Sequence, residues 1–348
     1  MIGRRTLIQG AGAGLLAAPF LNLRAQEVHK LRFSTFMPNT SNVYANIHKP
    51  WMERIEKESG GRLKFEPYPS MQLGGTPAQL FDQARDGVSD ISFALSGYAS
   101  GRLPTIELFE LPGFTYDGEG SSKALWEFAM QHAMGDFKDV HVLALHNHGL
   151  NVVHTRTKAL KSIADFKGVK IRGASRTSTQ ILNALGAIPV GMPLPQVPDA
   201  LSKGVIEGAV VPWDTVPPAK LNELTSFHTE FAKGLPGYNN STQFMVMNKK
   251  RYQALPADLQ KIIDKNSGLE FSGLSGRIIA GGDDPVRKMV IEKGSTVTAL
   301  DKSEFDQFMR KTAGVIDTWI QDMNKRGQDG KKLYEAGQAL IEKHRPKA

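Results

Sequence analysis

A strand that ends in arginine is the pattern with the clearest chemistry in this chain. In Asp165-Phe166-Lys167-Gly168-Val169-Lys170-Ile171-Arg172-Gly173, alternation puts Val169 and Ile171 on one face and leaves Arg172 at the strand's carboxyl end. A guanidinium there is a planar fork that can hold both oxygens of a carboxylate at fixed geometry, which a flexible lysine cannot match. The same arginine would serve equally as half of a surface ion pair, and spacing alone does not separate the two readings. His146-Asn147-His148, with His154 close by, is the only histidine cluster. His146 and His148 share a strand face, so a two-histidine metal site is geometrically open; an ordinary polar strand end is the plainer reading. The sequence has no G-x-S-x-G nucleophile turn and no H-E-x-x-H zinc helix. A hydrolase or lyase would therefore need His148 or His154 as its base, without an evident partner. Asp283-Asp284 before Pro285 reads as a helix cap rather than a coordination site. Lys249-Lys250-Arg251 reads as a solvated helix start rather than a nucleic-acid patch.

The elements that must position Arg172 alternate between strand and helix. Lys30–Phe36, Leu63–Tyr68, Ile91–Leu95, Val140–Leu145, Val169–Arg172 and Val205–Val211 read as strands. Val43–Ser59 has helical spacing through Ile47, Trp51 and Ile55, and Gly60-Gly61 stops it. Thr76-Pro77 starts a helix through Arg85, with the threonine as N-cap. Leu255–Ser275 and Glu304–Lys325 read as long amphipathic helices. Strands separated by helices imply an α/β fold, with parallel or mixed sheets covered on both faces. The chain rises through several such units to about His148 and begins again near Lys161, while 231–248 reads as a return crossing. Two lobes joined by several crossings place a cleft at the carboxyl ends of their strands and hinge around a ligand there.

Composition narrows the class. The 348 residues contain no cysteine, which excludes disulfide scaffolds, cysteine-ligated zinc and thiol nucleophiles. Arg4-Arg5, an apolar run from Gly10 to Leu21 and Leu23-Arg24-Ala25 have the layout of an export leader, 1–25, of twin-arginine type. About 12 to 15 apolar residues are too few to span a bilayer, so the chain is not expected to be membrane-spanning. Three cations lie in that leader, so the formal charge of +8 falls by three once it is removed, and the rest are scattered among acids. No nucleic-acid partner is expected.

The order of several short blocks resembles a known family. Phe33-Ser34-Thr35-Phe36, Gln72-Leu73-Gly74-Gly75, Asp86-Gly87-Val88-Ser89-Asp90-Ile91, Gly97-Tyr98-Ala99-Ser100-Gly101-Arg102-Leu103-Pro104 and Glu110-Leu111-Pro112 carry the first part of the resemblance. Lys170-Ile171-Arg172, Leu185-Gly186-Ala187-Ile188-Pro189-Val190, Ala200 to Gly208 and Leu255-Pro256-Ala257-Asp258-Leu259-Gln260 carry the rest. Together they resemble the substrate-binding proteins of TRAP transporters, the DctP-type solute receptors, over nearly the whole mature chain. The resemblance implies a two-lobed periplasmic binding protein, each lobe a mixed sheet flanked by helices. It would close on a small organic acid and deliver it to a sodium-driven membrane permease of two further subunits. Lobe I would comprise 26–148 with about 236–290, and lobe II about 149–235 with part of the C-terminal helices, while 290–348 pack across both.

The family's signature arginine falls on Arg172. Sialic-acid members carry a second arginine upstream, where this chain has Asn151-Val152-Val153-His154, and an asparagine where it has Val211. A better-matching branch has an amide near Asn151 and a tryptophan at Trp213, and binds keto or hydroxy acids, sometimes through a cation. On that pattern Asn151 would donate to a carboxylate and Trp213 would wall or stack on the ligand. Asn151, Trp213 and Asp214 are the only positions offered to a bridging cation; the further acid expected near Asn240 is missing, so no cofactor is expected. Phe36, Met37, Tyr98, His148 and Phe244 are placed near the cleft by their strand ends and crossings. The expected ligand is a monocarboxylate with a mainly apolar body, a 2-oxo or an aromatic acid. A ligand-presenting sensor would share this fold and pocket.

Overall fold

The computed structural model describes residues 27–345. The expected leader therefore lies outside the described residues. Five strands form the first sheet: β1 (His29–Thr35), β2 (Leu63–Tyr68), β3 (Ile91–Leu95), β4 (Val140–His146) and β10 (Gln243–Asn248), in the order β2-β1-β3-β10-β4. Six form the second: β5 (Asn151–Thr155), β6 (Lys170–Gly173), β7 (Ile188–Gly191), β8 (Gly208–Pro212), β9 (Phe227–Phe231) and β11 (Thr296–Leu300), in the order β11-β9-β5-β8-β6-β7. Both sheets are mixed. β1 runs parallel to β2 and β3, whereas β10 runs antiparallel to β3 and β4. β6 is parallel to β7 and β8, while β5 is antiparallel to β8 and β9. The central strands are buried on both faces, β8 throughout and β3 up to half-buried Leu95, which accounts for their near-continuous apolar runs.

The chain passes between the sheets at 147–150, at 232–242 and at Gly282. The third passage differs from expectation. The lobe I segment ends near Gly281 rather than 290, because helix Asp283–Glu292 packs against 213–215 and buries Val290 in the second lobe's core. β11 then adds an edge strand to the second sheet where only helices were expected. Helix Lys302–Lys325 ties the lobes together: Glu304 accepts the Ile163 amide of the second lobe at 2.6 Å, and the Trp319 indole donates to the Pro104 carbonyl of the first at 3.0 Å.

Other differences have local causes. The helix expected over 255–275 is two, Ala257–Lys265 and Leu269–Gly281, broken where Gly268 takes φ +86° and donates its amide to Leu143 at 2.8 Å. β8 begins at Gly208 rather than Val205, since Gly204 (φ +69°) turns the chain and the Val205 amide closes the preceding helix on Ala200. The helix of 43–59 opens with a wide π turn, Tyr44–His48, ahead of Pro50, which has no N–H for the carbonyl one turn back. Asp283 begins its helix without capping it; its Oδ1 instead accepts the Asp214 amide at 3.0 Å.

Candidate functional site

Between the two sheets lies a small cavity, with about 40 Å³ open to the centre of a water-sized sphere. β6 delivers Arg172 to it. Pairing with β7 on one side and β8 on the other fixes that strand, and Arg172 is only 2% exposed. Its Nε donates to the Met192 carbonyl at 2.9 Å, Nη1 to the Val210 carbonyl at 3.2 Å and Nη2 to the Tyr98 hydroxyl at 3.4 Å. These three bonds orient the fork and leave two of the five guanidinium N–H groups for something else. Among the described residues no carboxylate pairs with it. Burial lowers its pKa, yet an arginine stays charged at any physiological pH. A cation held this deep without a counter-charge is costly, so the geometry calls for an anion from outside the chain.

The remaining walls come from several elements. Phe36 and Met37 follow β1, Leu95 ends β3 and Tyr98 lies in the turn after it, and Val210, Val211 and Pro212 come from β8. Phe36 meets Tyr98 edge-on, with ring centroids 5.3 Å apart. Tyr98 belongs to the first lobe, yet its hydroxyl accepts both Arg172 and, at 2.9 Å, the Leu194 amide of the second. Apolar walls around one cationic fork suit a carboxylate on an apolar body.

Of the residues expected from the sequence, Arg172, Tyr98, Phe36, Asn151 and His148 all line this cavity, as does Met37. Asn151 is differently engaged than expected: one amide N–H goes to Asn239 at 3.0 Å, and its Oδ1 has no hydrogen-bond partner. Trp213 does not line it. Its indole faces a neighbouring cavity, donates to Glu230 at 3.0 Å and packs on His154 and His228, because alternation at the end of β8 turns it away from Pro212 and Asp214. Phe244 does not line it either; it is fully buried on the other face of β10, edge-on to Phe81 at 5.5 Å. Its neighbour Gln243 occupies the cavity instead. Strand alternation makes the two positions mutually exclusive, and the signal that chooses between them is register, which the sequence does not display. Leu194 and Ile279 were also missed, the latter arriving on the helix before the third crossing.

The titratable groups argue against proton transfer. The His148 Nδ1 faces the Gly149 carbonyl at 2.6 Å and its Nε2 accepts the Ser241 amide at 3.2 Å, which fixes one neutral tautomer. Burial pushes its pKa down to about 4. His154 lies outside the cavity, with its nitrogens on His228 at 2.7 Å and the Val211 carbonyl at 3.2 Å. His146 stacks on Phe93 in the first lobe's core and does not line the cavity. Neither histidine is placed as a base. Asp214 does line the cavity, and burial raises its carboxyl to about 6. It would be the one acidic member of a cation site with Asn151 and Trp213, but the indole points elsewhere. Among the described residues no three His, Asp or Glu side chains gather to hold a metal ion.

Residues 33–322 match the family model described as bacterial extracellular solute-binding protein, family 7. The chain belongs to this family. TRAP solute-binding proteins of known structure share its fold closely. A TRAP solute-binding protein from Rhodoferax ferrireducens T118, in complex with copurified benzoate, is 51% identical over 91% of this chain and 98% of its own, with a TM-score of 0.90. One from a marine metagenome, specific for aromatic acid ligands and bound to 3-hydroxybenzoate, is 42% identical over 92% and 100%, with a TM-score of 0.89. A third, from Bordetella bronchiseptica with bound (R)- and (S)-mandelate, is 28% identical over 90% and 99%, with a TM-score of 0.84. The chain is thus a two-lobed TRAP solute receptor, a ligand-binding component of transport and not an enzyme. Receptors of this family act outside the cytoplasm, and among the described residues no helix is long and apolar enough to cross a membrane.

Proposed function

We propose that this receptor captures an aromatic monocarboxylate of benzoate size and delivers it to a sodium-driven TRAP permease, working in the periplasm after removal of the leader read over 1–25. The observation that carries the reading is Arg172, buried among apolar walls with two donors unspent and no protein carboxylate beside it. The carboxylate takes the place of the missing counter-ion, and Phe36, Leu194, Val210 and Ile279 supply an apolar slot for the ring. Benzoate, 3-hydroxybenzoate and mandelate in the similar receptors favour an aromatic acid over a 2-oxo acid.

Calorimetric titration of benzoate into wild-type protein and Arg172→Ala is the direct test. Removing one partner of a buried charge pair costs about 3–5 kcal/mol, so the variant should lose two to three orders of magnitude or more in affinity. Equal affinity in the two proteins would remove Arg172 as the anchor.

A further inference from the structure

Residues 97 and 98 of the first lobe meet the second lobe at two adjoining points. A Cβ on Gly97 would overlap the Cβ of Ser175 and stand 3.1 Å from its Cα and 3.3 Å from the Ala174 carbonyl oxygen. Those atoms follow directly on β6, two and three residues beyond Arg172. They are not free to swing aside, since the Ser175 hydroxyl caps helix Arg176–Ala184 through the Ser178 amide at 3.2 Å. Gly97 does not occupy the left-handed region that favours glycine. Its need for a bare Cα is therefore set by the approach of the other lobe. The next residue uses that approach: the Tyr98 hydroxyl accepts the Leu194 amide at 2.9 Å and the Arg172 Nη2 at 3.4 Å, both from the second lobe. With two donors turned toward its oxygen, its own proton is left for an acceptor in the cavity.

We propose that Gly97 is the positioning residue on which the two lobes close, and that its missing side chain lets Tyr98 come far enough to donate its hydroxyl proton to the ligand carboxylate beside Arg172. The proposal rests on the carboxylate reading of the site. In the open protein the acid meets the donors of the second lobe alone. Closure adds the Tyr98 hydroxyl, and this differential contact shifts the equilibrium toward the closed form. A side chain at 97 acts on the closed state, because the three atoms nearest to it all belong to the other lobe.

Benzoate is the probe, with affinity read by calorimetry and closure by small-angle X-ray scattering. Wild-type protein should contract when saturated with benzoate. Gly97→Ala should keep its ligand-free melting temperature, bind at least about tenfold more weakly and contract less, since its closed state is less populated. Ser175→Gly in the Gly97→Ala background removes the nearest obstructing atom and should recover part of the affinity; glycine is a tolerated N-cap. Tyr98→Phe keeps the bare Cα at 97 but loses the hydroxyl's cross-lobe contacts, so it should bind more weakly and contract less than wild type. Gly97→Ala that binds as tightly and contracts as far as wild type would overturn the proposal, as would a substantial loss of ligand-free stability or a double variant no better than the single. A wild-type protein that takes up no aromatic acid would instead overturn the functional reading on which the proposal stands.

Discussion

Asp214 shares the cavity with Arg172 but cannot neutralise it at the lower end of the physiological range, because burial holds its carboxyl near pH 6. The Thr215 hydroxyl at 3.0 Å and the Asn42 amide at 3.4 Å support the charged form only in part. The sign of the pH dependence follows. Below pH 6 the carboxyl is protonated and adds no negative charge; above it, an ionised Asp214 repels the incoming carboxylate, whose own pKa lies well below this range. Benzoate affinity should therefore weaken as pH rises from 5 to 7, and Asp214→Asn should flatten that slope. His148, already neutral with a pKa pushed down to about 4, contributes nothing over the interval. A calorimetric pH series on both proteins checks this, and a slope that persists in Asp214→Asn would assign it elsewhere. Arg172 was legible in the sequence because a strand end and a guanidinium together specify both place and chemistry. Asp214 was legible as an acid near the site, but its raised pKa comes from neighbours far along the chain.

At the scale of elements, β10 separates what alternation can and cannot tell. Gln243 and Phe244 are adjacent, and a shift of one residue exchanges the face that sees ligand for the face that sees Phe81. Phe244→Ala should cost about 3–5 kcal/mol of stability as a fully buried ring lost from the core, with benzoate affinity of the folded protein nearly unchanged. Gln243→Ala should do the reverse, leaving the melting temperature in place while weakening binding several-fold, the scale of one hydrogen bond. Thermal denaturation and calorimetry on the two variants separate the roles, and a Phe244 variant that folds well but fails to bind would contradict the assignment. Strands β1 to β4 could be read because their apolar runs are bounded by glycine, proline and helical spacing. The break at Gly268 could not be read with the same ease, since the helical pattern continues on both sides and only the docking of its amide on Leu143 shows the kink. β11 escaped notice because Thr296–Leu300 is a half-exposed edge strand with little apolar signal.

The whole molecule puts its chemistry in a gap that neither lobe contains. Helix Lys302–Lys325 and the three crossings hold the lobes together, while Arg176 spans them by pairing with Glu107 and Asp322, each at 2.7 Å. The two-lobed architecture was readable from the alternation of elements and the order of the family's motifs. The third crossing, and with it Ile279 in the cavity wall, was not, because it depends on where one helix ends and the next begins. All of this places a cation with no paired carboxylate in a mostly apolar cavity that it shares with Asp214, and a ligand's negative charge completes it. Benzoate and benzamide have nearly the same shape and differ in that charge, so parallel calorimetric titrations of the wild-type protein address the claim directly. Benzoate should bind, and benzamide should bind at least about a hundredfold more weakly, since it leaves the guanidinium buried without a counter-ion. Comparable affinities for the two would contradict the account.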